Sequence, residues 1–182
     1  MDRDLTDREE FGVIVAALIP RIYAYLRRLG VEATAAEDLT QDTFVAAWQN
    51  LPRLRNKARM SSWVYGIAYR HYLRHRESAS RDGDVELTDQ VPHEPGHHPE
   101  ANHRLLLEAV RETVAALPDK YRDPVVLLYW EGLSYKEAAK ALLIPLGTLA
   151  WRVRKALTLV RKALAEEGVW DEGSDKTLAK SS

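Results

Sequence analysis

Apolar residues return at the helical period along most of the chain. Phe11, Val15, Leu18, Ile22, Leu26 and Leu29 recur every three or four positions, which predicts an amphipathic helix closed near Gly30, a residue free to take positive φ. A second helix is expected from about Thr34 to Trp48. After Pro52, Ser61 or Ser62 can cap a third that carries Trp63, Ile67 and Leu73 on toward Arg76. From Ser78 to Pro99 the pattern is lost in "SASRDGDVELTDQVPHEPGHHP", too polar to repay the entropy of a fixed packing. Helical spacing resumes with Leu105, Leu106, Val110, Val114 and Leu117, breaks at Pro118, and continues from Val125 to Trp130. β-branched runs are short and sit inside helical periodicity. The expectation is an all-α chain of two small helical domains joined by a flexible linker: a bundle over 1–77, an acidic linker over 78–103, a helix-turn-helix domain over 104–168 and a tail over 169–182.

The stretch "SYKEAAKALLIPLGTLAWRVRK", Ser134 to Lys155, reads as two short helices around a tight turn. In the second, Leu149, Val153, Ala156 and Val160 share one stripe, whereas Thr148, Trp151, Arg152 and Lys155 share another at i, i+3, i+4 and i+7. Ala138 or Ala139 supplies the small residue needed where the helices cross. In a major groove the outer stripe would place Arg152 and Lys155 on phosphates or guanine edges, with Thr148 and Trp151 at thymine methyls. An ordinary helical hairpin with a solvated basic face fits the same spacing.

Charge sharpens the picture. The 182 residues carry a formal net charge of −1, but the charges are segregated. Arg53, Arg55, Lys57, Arg59, Arg70, Arg74 and Arg76 follow one another without an acid between them, and Ala150 to Lys162 is again purely basic. The first basic run is interleaved with Trp63, Tyr65, Tyr69 and Tyr72, the pairing of cations with aromatic faces that suits unstacked single-stranded DNA. The competing reading buries Trp63 and Tyr69 in the core and leaves the arginines solvated. Asp38, Gln41, Asp42 and Val45 form a polar ridge with an apolar end, suited to a protein partner, although acids near a helix start are also favourable for dipole reasons alone.

Composition closes other routes. No run of eighteen apolar residues appears, and the charged start MDRDLTDREEF lacks a signal-peptide core, so membrane insertion and secretion are not indicated and a cytoplasmic protein is expected. With no cysteine there is neither a disulfide nor a thiolate nucleophile. His71 and His75 stand at i, i+4 without the intervening carboxylate of a zinc-protease motif. His93, His97, His98 and His103 cluster in the polar stretch, where a transition-metal site competes with a plain linker. No catalytic constellation emerges, and neither an enzyme nor a cofactor is expected.

The blocks "AEDLTQDTFVAAWQNL", "SSWVYGIAYRHYLRHR" and "LPDKYRDPVVLLYWEGLSYKEAAKALLIPLGTLAWRVRKAL", in this order and around an acidic linker, resemble the extracytoplasmic-function, or group IV, sigma factors of bacterial RNA polymerase. The resemblance spans roughly Leu18 to Leu164 and implies a first domain that holds the polymerase and opens the minus-ten element, and a second that reads the minus-thirty-five element. It implies that Asp38, Leu39, Gln41, Asp42 and Phe44 lie on or beside the surface docking core polymerase. Arg55, Lys57, Arg59, Trp63, Tyr65, Arg70 and Arg74 would hold the displaced strand and a flipped base, whose unstacking costs a few kcal/mol. Ser134, Tyr135 and Lys136 would begin the supporting helix, and Thr148, Trp151, Arg152, Arg154 and Lys155 would serve the reading helix. An anti-sigma partner is also implied.

Three positions depart from the common family pattern. A turn glycine, a lysine and a serine are replaced by Leu143, Ala150 and Trp151. A leucine in the turn without positive φ is expected to alter the interhelix angle slightly. The rival function is a free-standing helix-turn-helix regulator that binds operator DNA unaided.

Overall fold

A computed structural model describes residues 2–54, 56, 59–82 and 101–168, with side chains placed from Phe11 onward, apart from those of 81–82 and 101–103. All regular structure among these residues is helical. α1 spans Asp2–Arg28, α2 Ala33–Asn50 and α3 Met60–Asp82, with a 3-10 turn at Leu51–Arg53 after α2. The second unit holds α4 (Ala101–Ala115), α5 (Asp119–Val125), a π turn over Val126–Trp130, α6 (Tyr135–Ala141) and α7 (Leu146–Glu166). Helix therefore runs past the expected boundary at 77 and resumes before 104, because a nucleated helix propagates at little cost through polar residues. His93, His97 and His98 lie outside the described residues, as does the side chain of His103.

Local chemistry fixes the helix ends. α1 closes on Gly30, at φ 86°. α2 is capped by Glu32, whose carboxylate accepts from the amides of Thr34 at 2.8 Å and Ala35 at 3.3 Å, bonds that hold its pKa below the usual carboxylate range. At the start of α3 the expected serine cap is absent: Ser62 Oγ donates to the Arg59 carbonyl at 3.1 Å. α6 opens on a reciprocal capping box, Ser134 with Glu137, which lowers the Glu137 pKa.

The apolar stripes meet in a core that continues through both units. Ile22, Tyr25, Leu26, Val64 and Tyr65 are sealed in the first; Leu127, Leu149, Val153 and Ala156 are sealed in the second. Tyr25 meets Tyr65 edge to face at 5.2 Å between centroids. α7 keeps the predicted division, with Leu149, Val153, Ala156 and Val160 inward and Trp151 55% exposed. Contrary to the expectation for its turn, Leu143 does take positive φ, 56°. The amides of Leu143 and Ile144 bond to the carbonyls of Lys140 and Ala139, closing α6 as a glycine would.

That geometry carries a measurable strain. A non-glycine residue in the left-handed region costs about 1–2 kcal/mol, whereas the extra chain entropy of glycine costs about 0.5–1 kcal/mol. Leu143 is 63% exposed, so removing its side chain sacrifices little packing. Leu143→Gly should therefore raise the unfolding free energy by up to about 1 kcal/mol in urea titration, and Leu143→Val should lower it.

Candidate nucleic-acid interface

α3 presents two differently occupied faces. Trp63, Ile67, Arg70, His71 and Arg74 line a groove of about 500 Å³ closed on its far side by Ala46, Asn50, Arg53 and Leu54. Their spacing, i, i+4, i+7, i+8 and i+11, is one helical stripe. Asn50 anchors the rim: its amide nitrogen donates to the Ala46 carbonyl at 2.8 Å, and its side-chain oxygen accepts from Arg53 Nη1 at 3.4 Å. Trp63 is half-buried, packing against the core while facing the groove, so both sequence readings of it meet in one side chain. Burial lowers the His71 pKa, with Arg74 and Arg70 adding to the shift and Asp42 opposing it, so the imidazole is neutral at pH 7. Sequence reasoning missed the groove role of Asn50 and weighed His71 only as a metal ligand. Arg59 is exposed; Arg55 and Lys57 lie outside the described residues.

The other stripe of α3 turns toward the second unit. Tyr65, expected on the displaced strand, is fully buried in this arrangement, where its hydroxyl donates to Glu131. Desolvation, then the Glu131 charge, holds its pKa far above the usual phenol range. Tyr69 shares a hydrogen bond with Asp123, and its pKa too is raised chiefly by burial. Tyr72 is buried and accepts from Arg122 Nη2 at 3.0 Å, and desolvation pushes its pKa up to about 12.

In the second unit, Trp151 rests against Tyr121 with centroids 6.1 Å apart, and Lys120 Nζ lies 5.0 Å from the centre of the Tyr121 ring. Arg154 and Lys155 are exposed; Thr148 and Arg152 are half-buried. Tyr135 and Lys136 are exposed on α6, beside the capping Ser134. Arg152 lines an open cleft with Tyr69, Arg76, Asp119 and Asp123, so one member of the reading stripe faces the first unit.

On α2, Asp38, Gln41 and Asp42 are exposed, and Val45 (56%) and Trp48 (47%) extend the ridge with apolar surface. Trp48 packs on Phe11 at 5.6 Å. Leu39 and Phe44 are buried, and they hold the ridge from beneath. Among the described residues no group of histidines and carboxylates is gathered to hold a metal ion, and no helix is long and apolar enough to cross a membrane.

Comparison with known proteins agrees with this layout. The sigma-70 region 2 family matches residues 14–82, and sigma-70 region 4 matches residues 107–163. The chain is 30% identical over 150 residues to the ECF RNA polymerase sigma factor SigL of Mycobacterium tuberculosis, covering 81% of this chain and 85% of that one. It is 28% identical over 169 residues to the RNA polymerase sigma-H factor of Pseudomonas aeruginosa, covering 87% and 88%. The fold resembles that of the sigma factor RpoE of Bartonella quintana, solved with the anti-sigma factor NepR, at a TM-score of 0.71 and 21% identity over 86% of this chain and 98% of that one.

Asp123 gives the contact between the units a pH signature. Desolvation raises its pKa from 3.8 to about 6, against the pull of Arg122. A carboxyl raised in the folded state adds stability that is fully present below about pH 4 and lost as pH rises through about 6. Asp123→Asn should abolish that component: the stability of the wild-type chain relative to the variant, measured by denaturation at a series of pH values, should climb as pH falls from 7 to 5.

Proposed function

The chain belongs to the extracytoplasmic-function sigma factors of RNA polymerase, and from that premise we propose how its surfaces divide the work of promoter recognition. As a sigma factor it binds core polymerase and directs promoter-specific initiation. The observation that carries the division is the presence of two cationic helical surfaces, one on each matched region: the Arg53, Arg70 and Arg74 groove, and the outer stripe of α7. A free-standing operator-binding regulator is not favoured, since it has no need of the region 2 half.

In this reading the α2–α3 groove takes the displaced minus-ten strand. Arg53, Arg70 and Arg74 hold phosphates, Trp63 offers an aromatic face, and neutral His71 can both donate and accept at a base edge. Arg59 and the segment bearing Arg55 and Lys57 extend the cationic path. The outer stripe of α7 enters the minus-thirty-five major groove, with Arg154 and Lys155 on the backbone and Thr148 and Trp151 toward base methyls; Ser134, Tyr135 and Lys136 brace it from α6. The ridge of Asp38, Gln41, Asp42, Val45 and Trp48, supported by Leu39 and Phe44, docks on core polymerase. The protein works in the cytoplasm, without catalytic chemistry of its own, under restraint by an anti-sigma factor of the kind that accompanies the Bartonella homologue of its fold.

Run-off transcription on a promoter library, with purified core polymerase alone as control, tests the assignment. The chain should create defined start sites, and Trp151→Ala should lower output selectively on promoters differing only at minus-thirty-five. Equal loss on every promoter would remove Trp151 from base reading; no redirected initiation by the wild-type chain would overturn the function.

A further inference from the structure

Trp151 stands where the family commonly has serine, and an indole on the outside of a helix has to be aimed before it can read a base. Side chains of a helix lean toward its N-terminus, onto the residues three and four back, here Thr148 and Gly147. Gly147 offers nothing to lean on: a Cβ added there would meet no atom within 4 Å beyond its chain neighbours and the helix backbone. The indole accordingly does not lie over Gly147. It rests instead on Tyr121 of α5, with ring centroids 6.1 Å apart and planes inclined by 55°, inside the range of favourable aromatic pairs.

Tyr121 is a firm support. α5 packs on α7, and the residues that follow Tyr121, from Arg122 to Val125, are all buried. The Tyr121 amide donates to the Pro118 carbonyl at 2.8 Å. Lys120 Nζ, 5.0 Å from the centre of the Tyr121 ring, is within cation–π range of it. The core of the second unit thus sets the place of the half-buried tyrosine ring, and the ring sets the place of the indole.

Placement matters for a residue that reads by apolar contact. Phosphate contacts carry no sequence information, whereas dispersion against a thymine methyl falls steeply, a gap of about 0.5–1 Å forfeiting roughly a quarter to a half of it. A χ1 near +60° is rare in a helix, which leaves an unsupported indole two staggered directions to share. We propose that Tyr121 is a positioning residue for minus-thirty-five recognition: it holds the Trp151 indole in one direction, so that the tryptophan discriminates among base edges where it would otherwise only add apolar surface. The discrimination rests on the sigma-factor reading; the support of the indole by Tyr121 does not.

Two measurements separate these parts. Labelling the full chain with 5-fluorotryptophan gives a fluorine signal for each of its five tryptophans, and the signal lost in Trp151→Phe is that of Trp151. In Tyr121→Ala that signal should narrow as the indole gains motion, and in Tyr121→Phe, which keeps the ring, its width should match the wild type. An unchanged width in Tyr121→Ala overturns the support. Should alanine abolish cooperative unfolding, Tyr121→Leu, which keeps apolar bulk without a ring, takes its place with the same expectation. Run-off transcription with core polymerase then compares promoters differing only at minus-thirty-five. Tyr121→Ala should reduce the ratio of output between the preferred and the altered element by between about twofold and tenfold, the worth of one aromatic pair, and Tyr121→Phe should keep that ratio. In a Trp151→Ala background, loss of Tyr121 should cost no further discrimination. Equal loss on every promoter, or a loss of discrimination that persists without Trp151, refutes the positioning role. A wild-type chain that redirects no initiation sinks the sigma-factor reading instead, and the fluorine width still decides whether Tyr121 holds the indole.

Discussion

A carboxylate that is 2% exposed has to be met by cations or donors, and Glu131 finds all of its own on the other half of the chain. Arg21 and Arg28 come from α1 and the Tyr65 hydroxyl from α3, so one acid fixes the second unit against two helices of the first. The π turn puts it there. The Glu131 amide bonds to the Val126 carbonyl at 3.1 Å, five residues back, and the Leu133 amide to the Leu127 carbonyl at 3.0 Å. The added residue in that turn shifts the register, so that Leu127 stays sealed in the second core while Glu131 emerges on the side of the first.

The same interface explains why α3 divides as it does. A helix repeats its faces every three to four residues, so one stripe can line the cationic groove while the stripe beginning at Tyr65 is closed over. The covered stripe is rich in tyrosine because a buried phenol supplies area and one hydroxyl to pair, and Asp123, Arg122 and Glu131 accept or donate at each. Pairing is nevertheless incomplete. Arg122 Nε is buried without a hydrogen-bond partner, which subtracts from the stability of closure.

Periodicity made the helices and the two stripes of α7 legible, because each depends only on residues three or four apart. The groove was partly legible: Trp63, Arg70 and Arg74 share a stripe of α3, but Asn50 joins them only through the packing of α2 on α3. The interunit contact was illegible. Arg21 and Glu131 are 110 residues apart, and nothing local marks either as a partner. The burial of Tyr65 was illegible for the same reason, since an aromatic among arginines looks identical in sequence whether its face is open or covered. Leu143 was misjudged because its backbone is set by the closing bonds of α6, which outweigh the residue's own preference.

Charge segregation ties these features to behaviour. Asp119, Asp123 and Glu131 belong to the second unit yet face arginines and tyrosines contributed largely by the first, so part of the chain's positive surface is neutralised in cis while it is closed. Phosphate binding grows with the number of cations that can release counterions, and here some are withheld. Two small surfaces, each with few phosphate contacts, bind DNA appreciably only when tethering makes the second contact intramolecular at the right span. A large partner that spreads the units would therefore both uncover cations and set that span.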